Sequence, residues 1–125
     1  LYASVIILKG DENLMKKALQ LIQKASIRGN IFSMHIYGLL LIQGQRVKPN
    51  PILGLKYVKI AADNGVNDAL FQYGTLIENH NKQEAIKYYK MAIDQGHPSA
   101  MHRYANMLSS GDGVDKNIEE AARYY

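Results

Sequence analysis

The sequence contains no cysteine, which excludes disulfide bridges, thiol catalysis and cysteine-ligated zinc sites. It also has no long apolar run, because stretches such as Leu39–Ile42 are far too short to span a bilayer. Gly-x-Gly-x-x-Gly and Walker loops are absent, so nothing in the sequence supports nucleotide binding. No Asn-x-Ser/Thr glycosylation site occurs, which disfavours a secreted glycoprotein.

The remaining composition is that of a protein that folds. The chain has 125 residues, of which 47% are hydrophobic and 21% charged, and this suits a single compact domain. Residues 1–62 hold nine Lys/Arg against two Asp/Glu, whereas residues 63–125 hold six against nine. This asymmetry is typical of a protein with an acidic partner or nucleic acid, or of an ordinary solvated surface, and the lack of a dense cationic cluster favours the solvated surface.

Three series of residues recur along the chain with the same irregular spacing. Tyrosines stand 35, 36 and 31 residues apart, at Tyr2, Tyr37, Tyr73 and Tyr104. Glycines stand 36 and 31 residues apart, at Gly29, Gly65 and Gly96. Small residues stand 36, 31 and 36 residues apart, at Ala18, Gly54, Ala85 and Ala121. Because all three series show the same sequence of spacings, the sequence predicts a tandem array of repeats in which one unit is shorter.

Each unit is predicted to contain two helices. The segment NDALFQYGTLIE places small and apolar residues on one helical stripe, at Ala69, Tyr73, Gly74 and Ile77. The segment NKQEAIKYYKMAIDQG does the same at Ala85, Tyr88, Tyr89, Ala92 and Ile93. Small residues at Gly38, Gly74 and Ala105 are expected to let the partner helix approach closely, and most tyrosines are expected to pack in the core.

Helix ends are also marked in the sequence. Asn50, Asn81 and Asn117 each stand four residues before a small core residue, as N-cap residues would. Gly29, Gly65 and Gly96 are placed to adopt positive φ at the ends of second helices.

The combined motif resembles the Sel1-like repeat, a relative of the tetratricopeptide repeat. The motif is most complete in SAMHRYANMLSSGDGVDKNIEEAARYY and DALFQYGTLIENHNKQEAIKYYKMAIDQG. The resemblance implies an all-α fold, an α-α superhelix or solenoid of helix-turn-helix repeats, with three to four units including partial ones. The expected units are 1–29, 30–65, 66–96 and 97–125, within one repeat domain that we expect to be a fragment of a longer array. Departures include the missing Gly-x-Gly-Val loop in the third unit, and Gly54 where alanine is usual.

The resemblance further implies a protein–protein interaction scaffold that binds a protein or peptide partner in a concave groove. By comparison with the tetratricopeptide pattern, the groove would be lined by one set of first-helix residues in each unit. The first set is Phe32, His35, Leu39, Ile42 and Gln43. The second is Asp68, Phe71, Thr75, Glu78 and Asn79. The third is Ser99, His102, Asn106, Ser109 and Ser110. The alternative is that these side chains pack against neighbouring units. A regulatory appendage of a larger multidomain protein is the alternative function.

Other sites receive little support from the residue pattern. A row of cations on the second helices is expected to cover an exposed helix face, at Lys56, Lys59, Lys87, Lys90 and Arg123. His97 and His102 lack the spacing of a zinc pair, and His97 is expected to cap or precede a helix. The loop GDGVDKN fails the calcium-loop register, because its twelfth position from Asp112 is Arg123, and it is predicted to be a turn. We expect a non-enzymatic cytoplasmic protein without a cofactor, a bound metal, a nucleic-acid partner or a membrane partner. The sequence leaves the oligomeric state open, and end-to-end contacts between the repeats of two copies are one option.

Overall fold

The computed structural model describes residues 12–44 and 47–125, and these residues form seven α-helices and no strand. The helices are α1 Glu12–Ile27, α2 Ile31–Gln43, α3 Pro51–Asp63, α4 Asn67–Ile77, α5 Lys82–Asp94, α6 Pro98–Ser110 and α7 Ile118–Tyr124. The predicted all-α repeat fold is therefore confirmed. The described residues divide into two compact units, one up to residue 61 and one over residues 62–125. Tyr2, the first of the regularly spaced tyrosines, lies outside the described residues.

The predicted asparagine caps are all formed. The side-chain oxygen of Asn50 accepts the Leu53 N–H at 3.2 Å, which closes the first turn of α3. Asn81 and Asn117 cap α5 and α7 through bonds of 3.1 and 3.0 Å to the N–H three residues ahead. Each cap satisfies a backbone donor that has no partner inside its helix, which is worth about 1 kcal/mol. The glycines predicted to end second helices have φ of 90°, 81° and 79°, at Gly29, Gly65 and Gly96.

In the first unit, α2 and α3 approach until their backbones touch. A Cβ atom built on Gly38 would lie 2.8 Å from the Gly54 carbonyl oxygen, and one on Gly54 would lie 2.6 Å from the Gly38 oxygen. Position 54 therefore has no room for the usual alanine, because its Cβ would overlap the Gly38 carbonyl oxygen and the Ile42 side chain. The rings of Tyr37 and Tyr57 pack beside this contact, with centroids 5.8 Å apart.

The second unit repeats this arrangement with a bulkier residue on the second helix. A Cβ atom on Gly74 of α4 would lie 2.5 Å from Cε1 of Tyr89 on α5, a side chain that is fully buried. The tyrosine pair beside it recurs in both repeats of this unit, as Tyr73–Tyr88 at 4.7 Å and Tyr104–Tyr124 at 5.5 Å. Each repeat thus has a small residue and a tyrosine pair between its helices. The predicted core role is confirmed for Tyr73, Tyr88, Tyr89 and Tyr104, which are buried, whereas Tyr37, Tyr57 and Tyr124 are half-buried.

Consecutive repeats of the second unit are joined by polar contacts between their helices and loops. The Tyr88 hydroxyl donates to Asp63 at 2.7 Å, and Gln95 Nε2 donates to the Gly65 carbonyl at 3.0 Å. Burial and the Asp63 carboxylate together raise the pKa of Tyr88, so its hydroxyl remains a donor at neutral pH.

The GDGVDKN loop is a turn that docks on the preceding repeat. Gly111 and Gly113 have φ of 73° and 77°, values that glycine adopts without strain. Asp112 forms an ion pair with Lys82, the first residue of α5. A Cβ atom on Gly113 would lie 2.8 Å from Cβ of Lys82, so the second glycine is required for this close approach.

The Gly74–Tyr89 contact predicts that replacing Gly74 by alanine lowers the free energy of unfolding, whereas the same change in an exposed helix raises it. In an exposed helix Gly→Ala stabilises by about 1 kcal/mol, but Gly74→Ala should destabilise the fold by about 1–3 kcal/mol through overpacking. Urea denaturation followed by circular dichroism measures the change. The neighbouring exposed residue provides the control, since Thr75→Ala should change the free energy of unfolding by less than about 0.5 kcal/mol. Equal or greater stability of Gly74→Ala would contradict the packing described here.

Candidate partner-binding surface

The α4–α6 face is the side of these two helices that points away from the core of the second unit. On α4 and its following turn, Asp68, Thr75 and Asn79 are exposed and stand at i, i+7 and i+11. On α6, Ser99 and His102 are exposed and Asn106 is half-buried. The opposite side of both helices is buried, so these positions form one accessible stripe per helix. The assignment of these residues to a partner remains a prediction.

The sequence-predicted set in the first unit is only partly accessible. The Phe32 side chain is 69% exposed and Gln43 is exposed, whereas His35, Leu39 and Ile42 are half-buried. Phe32 and Leu39 stand seven residues apart on α2 and therefore share a side of that helix. This unit thus offers a more apolar stripe than the α4–α6 face.

Phe71 is held from two sides. Its ring stacks on His97, with centroids 4.9 Å apart and an interplanar angle of 24°, and it lies 5.8 Å from the Tyr89 ring. Phe71 is half-buried, so one part of its ring faces solvent while the rest packs on its neighbours. Its orientation is therefore fixed before any partner arrives, which lowers the entropic cost of a contact there.

His97 confirms the expectation that it caps a helix. Its Nδ1 accepts the Ala100 N–H at 3.2 Å as the N-cap of α6, so the ring proton lies on Nε2. Nε2–H then donates to Asp68 Oδ1 at 3.0 Å. One buried imidazole thus joins the first residues of α6 to α4 and orients an exposed carboxylate.

Tyr125 contacts the part of α6 that is equivalent in the repeat to the part of α4 around Phe71. The Tyr125 hydroxyl donates to Asn106 Oδ1 and lies 3.5 Å from Ser109 Oγ, and its ring meets His102 edge-on at 5.7 Å. Tyr125 stands in the repeat where Tyr89 stands one unit earlier. The ring contact of Tyr89 with Phe71 is therefore repeated by Tyr125 with His102.

Glu78 does not face outward as the sequence predicted, because it is only 8% exposed. Its Oε1 accepts bonds from the Tyr89 hydroxyl at 2.7 Å and from Arg103 Nε–H at 2.8 Å, and its Oε2 accepts from Arg103 Nη2–H. A buried carboxylate needs such partners, because an isolated charge would lose its hydration without compensation. Glu78 therefore joins α4, α5 and α6 and is not free to meet a partner.

The protonation states of this cluster follow from its geometry. The Arg103 hydrogen bonds lower the pKa of Glu78 more than burial raises it, so the carboxylate stays ionised at neutral pH. Burial and the same carboxylate raise the pKa of Tyr89, which keeps its hydroxyl protonated. Glu78 in turn raises the pKa of Arg103 above its usual value. The cluster is thus a fixed ion pair with a neutral phenol donor.

Arg103 was missed by the sequence analysis, although its side chain is 38% exposed beside the α4–α6 face. It stands between Ser99 and Asn106 at the i+4 position of the exposed stripe of α6, and this spacing could have identified it. The groove positions taken from the tetratricopeptide pattern did not include this residue.

The cationic row on the second helices is exposed, as predicted, at Lys56, Lys59, Lys87, Lys90 and Arg123. Lys90 lies over the Tyr104 ring, with Nζ 5.4 Å from the centroid, and so covers part of the next repeat. Within residues 12–44 and 47–125 there is no group of three potential metal ligands. No helix in the described part of the chain is long and apolar enough to cross a membrane.

Comparisons with known proteins agree on one family. The family model of the Sel1 repeat matches residues 5–30, 31–66, 69–97 and 98–125, which is nearly the whole chain. A search of curated proteins finds no match.

Two solved structures share the fold. The crystal structure of a Sel1 repeat protein from Oxalobacter formigenes aligns with a TM-score of 0.81 at 26% identity, over 88% of this chain and 47% of that one. A protective antigen of uropathogenic Escherichia coli strains, which displays an SLR fold, aligns with a TM-score of 0.82 at 23% identity over 86% of this chain and 24% of that one. The chain thus spans about half and about a quarter of the lengths of these two proteins.

The Glu78 cluster predicts a pH-dependent contribution to stability. Because the folded-state pKa lies below the unfolded value, the contribution is present above the unfolded pKa and is lost as pH falls through the folded pKa. Glu78→Gln should lower the free energy of unfolding by about 2 kcal/mol at pH 7, and the difference from wild type should shrink at acidic pH. Urea denaturation at pH 7 and pH 3 measures both values.

Glu119→Gln is the matched control, because Glu119 is exposed on α7. It should change the free energy of unfolding by less than about 0.5 kcal/mol at either pH. A Glu78→Gln effect that does not depend on pH would rule out the ionised carboxylate as its source.

Proposed function

The chain belongs to the Sel1 repeat family, and we propose that it is a non-catalytic interaction module that binds an extended segment of a partner protein on the α4–α6 face. Sel1 repeat proteins generally mediate protein–protein interaction. The proposal specifies the binding surface, which is the α4–α6 face, and the conformation of the partner, which is an extended segment.

The proposal rests on one observation: buried contacts fix the orientation of side chains on the exposed polar α4–α6 face. Asp68 is oriented by His97, Phe71 is stacked on the same ring, and Glu78 fixes Arg103. Thr75 and Asn106, which are equivalent positions on the two helices, lie between these supports with polar groups of both donor and acceptor type. A surface ordered in advance loses little entropy on binding, so a small number of hydrogen bonds suffices for measurable affinity.

An extended segment fits this surface better than a folded domain does. The α4–α6 face carries mainly small polar side chains, together with the rings of Phe71 and His102, and repeat proteins present such helices as an elongated binding surface. Amide and hydroxyl side chains such as Asn79, Asn106 and Thr75 can bind the donors and acceptors of a peptide backbone. A regulatory appendage of a larger multidomain protein is the alternative role for this chain. The cytoplasmic location likewise stays a prediction.

Selection from a phage-displayed library of random dodecapeptides tests the proposal directly. The wild-type chain should enrich peptides over an empty support, and Thr75→Arg/Asn79→Arg should abolish recovery of the same peptides, because two bulky side chains then cover the stripe. Both positions are exposed, so the helices should remain folded, and circular dichroism checks this.

A control variant matched in charge separates obstruction from electrostatics. Asp115→Asn/Glu119→Gln also shifts the net charge by two positive units, at exposed positions away from α4 and α6. It should leave recovery unchanged. Recovery that survives Thr75→Arg/Asn79→Arg, or that is lost in the control variant, would exclude the α4–α6 face as the binding surface.

A further inference from the structure

The charges on the α4–α6 face are few and their arrangement is specific. In residues 67–79 and 98–110 the permanently charged side chains are Asp68, Glu78 and Arg103. Arg103 is paired with Glu78, and Asp68 is 75% exposed at the first turn of α4. The face is therefore neutral around Arg103 and negative at its Asp68 end.

Arg103 has unused hydrogen-bonding capacity. A guanidinium group presents five N–H donors. Glu78 accepts two of them, from Nε and Nη2, and the Tyr89 hydroxyl also interacts with the group, so at most three donors are left for a partner. The side chain is 38% exposed, so donors that do not point at Glu78 can meet a partner. The two-point contact with Glu78 also fixes the plane of the guanidinium, as bidentate pairing does in general.

The Glu78 carboxylate changes what these donors can bind. An unpaired arginine on a binding surface attracts carboxylates and phosphates through its charge. When a buried carboxylate lies against its other edge, the pair has no net charge and the free N–H groups act as directed donors to neutral acceptors. The commonest neutral acceptor on an extended chain is the main-chain carbonyl.

We propose that Arg103, oriented by Glu78, is the hydrogen-bond anchor for main-chain carbonyls of the partner segment, and that Glu78 makes this face select neutral or basic segments over acidic ones. This inference rests on the proposed function, because it concerns the same face and the same extended partner. Asp68 acts in the same direction, since its exposed carboxylate repels acidic residues near the start of α4. Glu78 is a positioning residue, and Arg103 is the residue that touches the partner.

The dodecapeptide library separates charge selection from binding as such. Peptides enriched by the wild-type chain should contain at least about twofold fewer Asp and Glu than the unselected library. Glu78→Gln leaves the Arg103 charge uncompensated, so its enriched peptides should contain about twofold more acidic residues than those of the wild type. The double variant Glu78→Gln/Arg103→Gln has no charge at either position, and its peptides should return to the wild-type acidic content. Circular dichroism at the selection temperature confirms that each variant is folded.

A second measurement does not depend on altering Glu78. Arg103→Lys keeps the charge but removes the planar fork, so a wild-type-selected peptide should lose about tenfold in affinity, as expected for one good hydrogen bond. Fluorescence polarisation with the labelled peptide measures this change. The control Lys87→Arg, on the exposed side of α5, should stay within about twofold of the wild type.

The outcomes distinguish the inference from the proposed function. Enrichment by the wild type with an unchanged acidic content in Glu78→Gln, or unchanged affinity in Arg103→Lys, overturns the inference and leaves the α4–α6 face as a binding surface. Enrichment of acidic peptides by the wild type overturns the inference as well. Absence of any enrichment overturns the proposed function, and the inference with it.

Discussion

Close approach of paired helices at a residue with little or no side chain is the constraint on which the rest of the structure depends. At Gly38 and Gly54 the two backbones meet, and at Gly74 the ring of Tyr89 takes the space that a Cβ would need. Once the second helix lies this close, its tyrosine at the preceding position reaches the tyrosine of the first helix, as in Tyr73–Tyr88. The same approach lets the Tyr89 hydroxyl reach Glu78, which stands four residues after Gly74.

A polar cluster of Glu78, Tyr89 and Arg103 lies between α4 and α6, the first helices of two consecutive repeats. A buried carboxylate is unfavourable unless it is paired and hydrogen-bonded, and Glu78 is paired with Arg103 and also accepts from the Tyr89 hydroxyl. The cluster therefore joins three helices of two repeats and, at the same time, determines which donors reach the surface. The proposed charge selectivity of the face therefore depends on the same residue, Glu78, as the expected pH dependence of folding.

Much of the fold could be predicted because the residues that begin and end the helices recur at the same positions in successive repeats. Asn81 and Asn117 cap helices through contacts that lie within one turn, so residue type and spacing sufficed. The positive φ of Gly65 was equally local. The close packing at Gly74 joins two helices, but the recurrence of a small residue at this position in each repeat indicated it. Sequence could not predict that Glu78 is buried, because its burial depends on Arg103, which lies 25 residues ahead and has no counterpart of the same type in the other repeats. Tyr125 on Asn106 and the docking of Asp112 on Lys82 are likewise contacts between distant residues, which periodicity does not reveal.

The central claim is that a partner segment lies along α4 and α6 and contacts Arg103 while Glu78 stays in place. An amide and guanidinium NMR titration of the labelled chain with a library-selected dodecapeptide tests it most directly. The account predicts shifts at Thr75, Asn79, Asn106 and the Arg103 Nε–H, with the Nε–H protected from exchange by its bond to Glu78 in both the free and bound states. Shifts confined to the cationic row around Lys87 and Arg123 would contradict it.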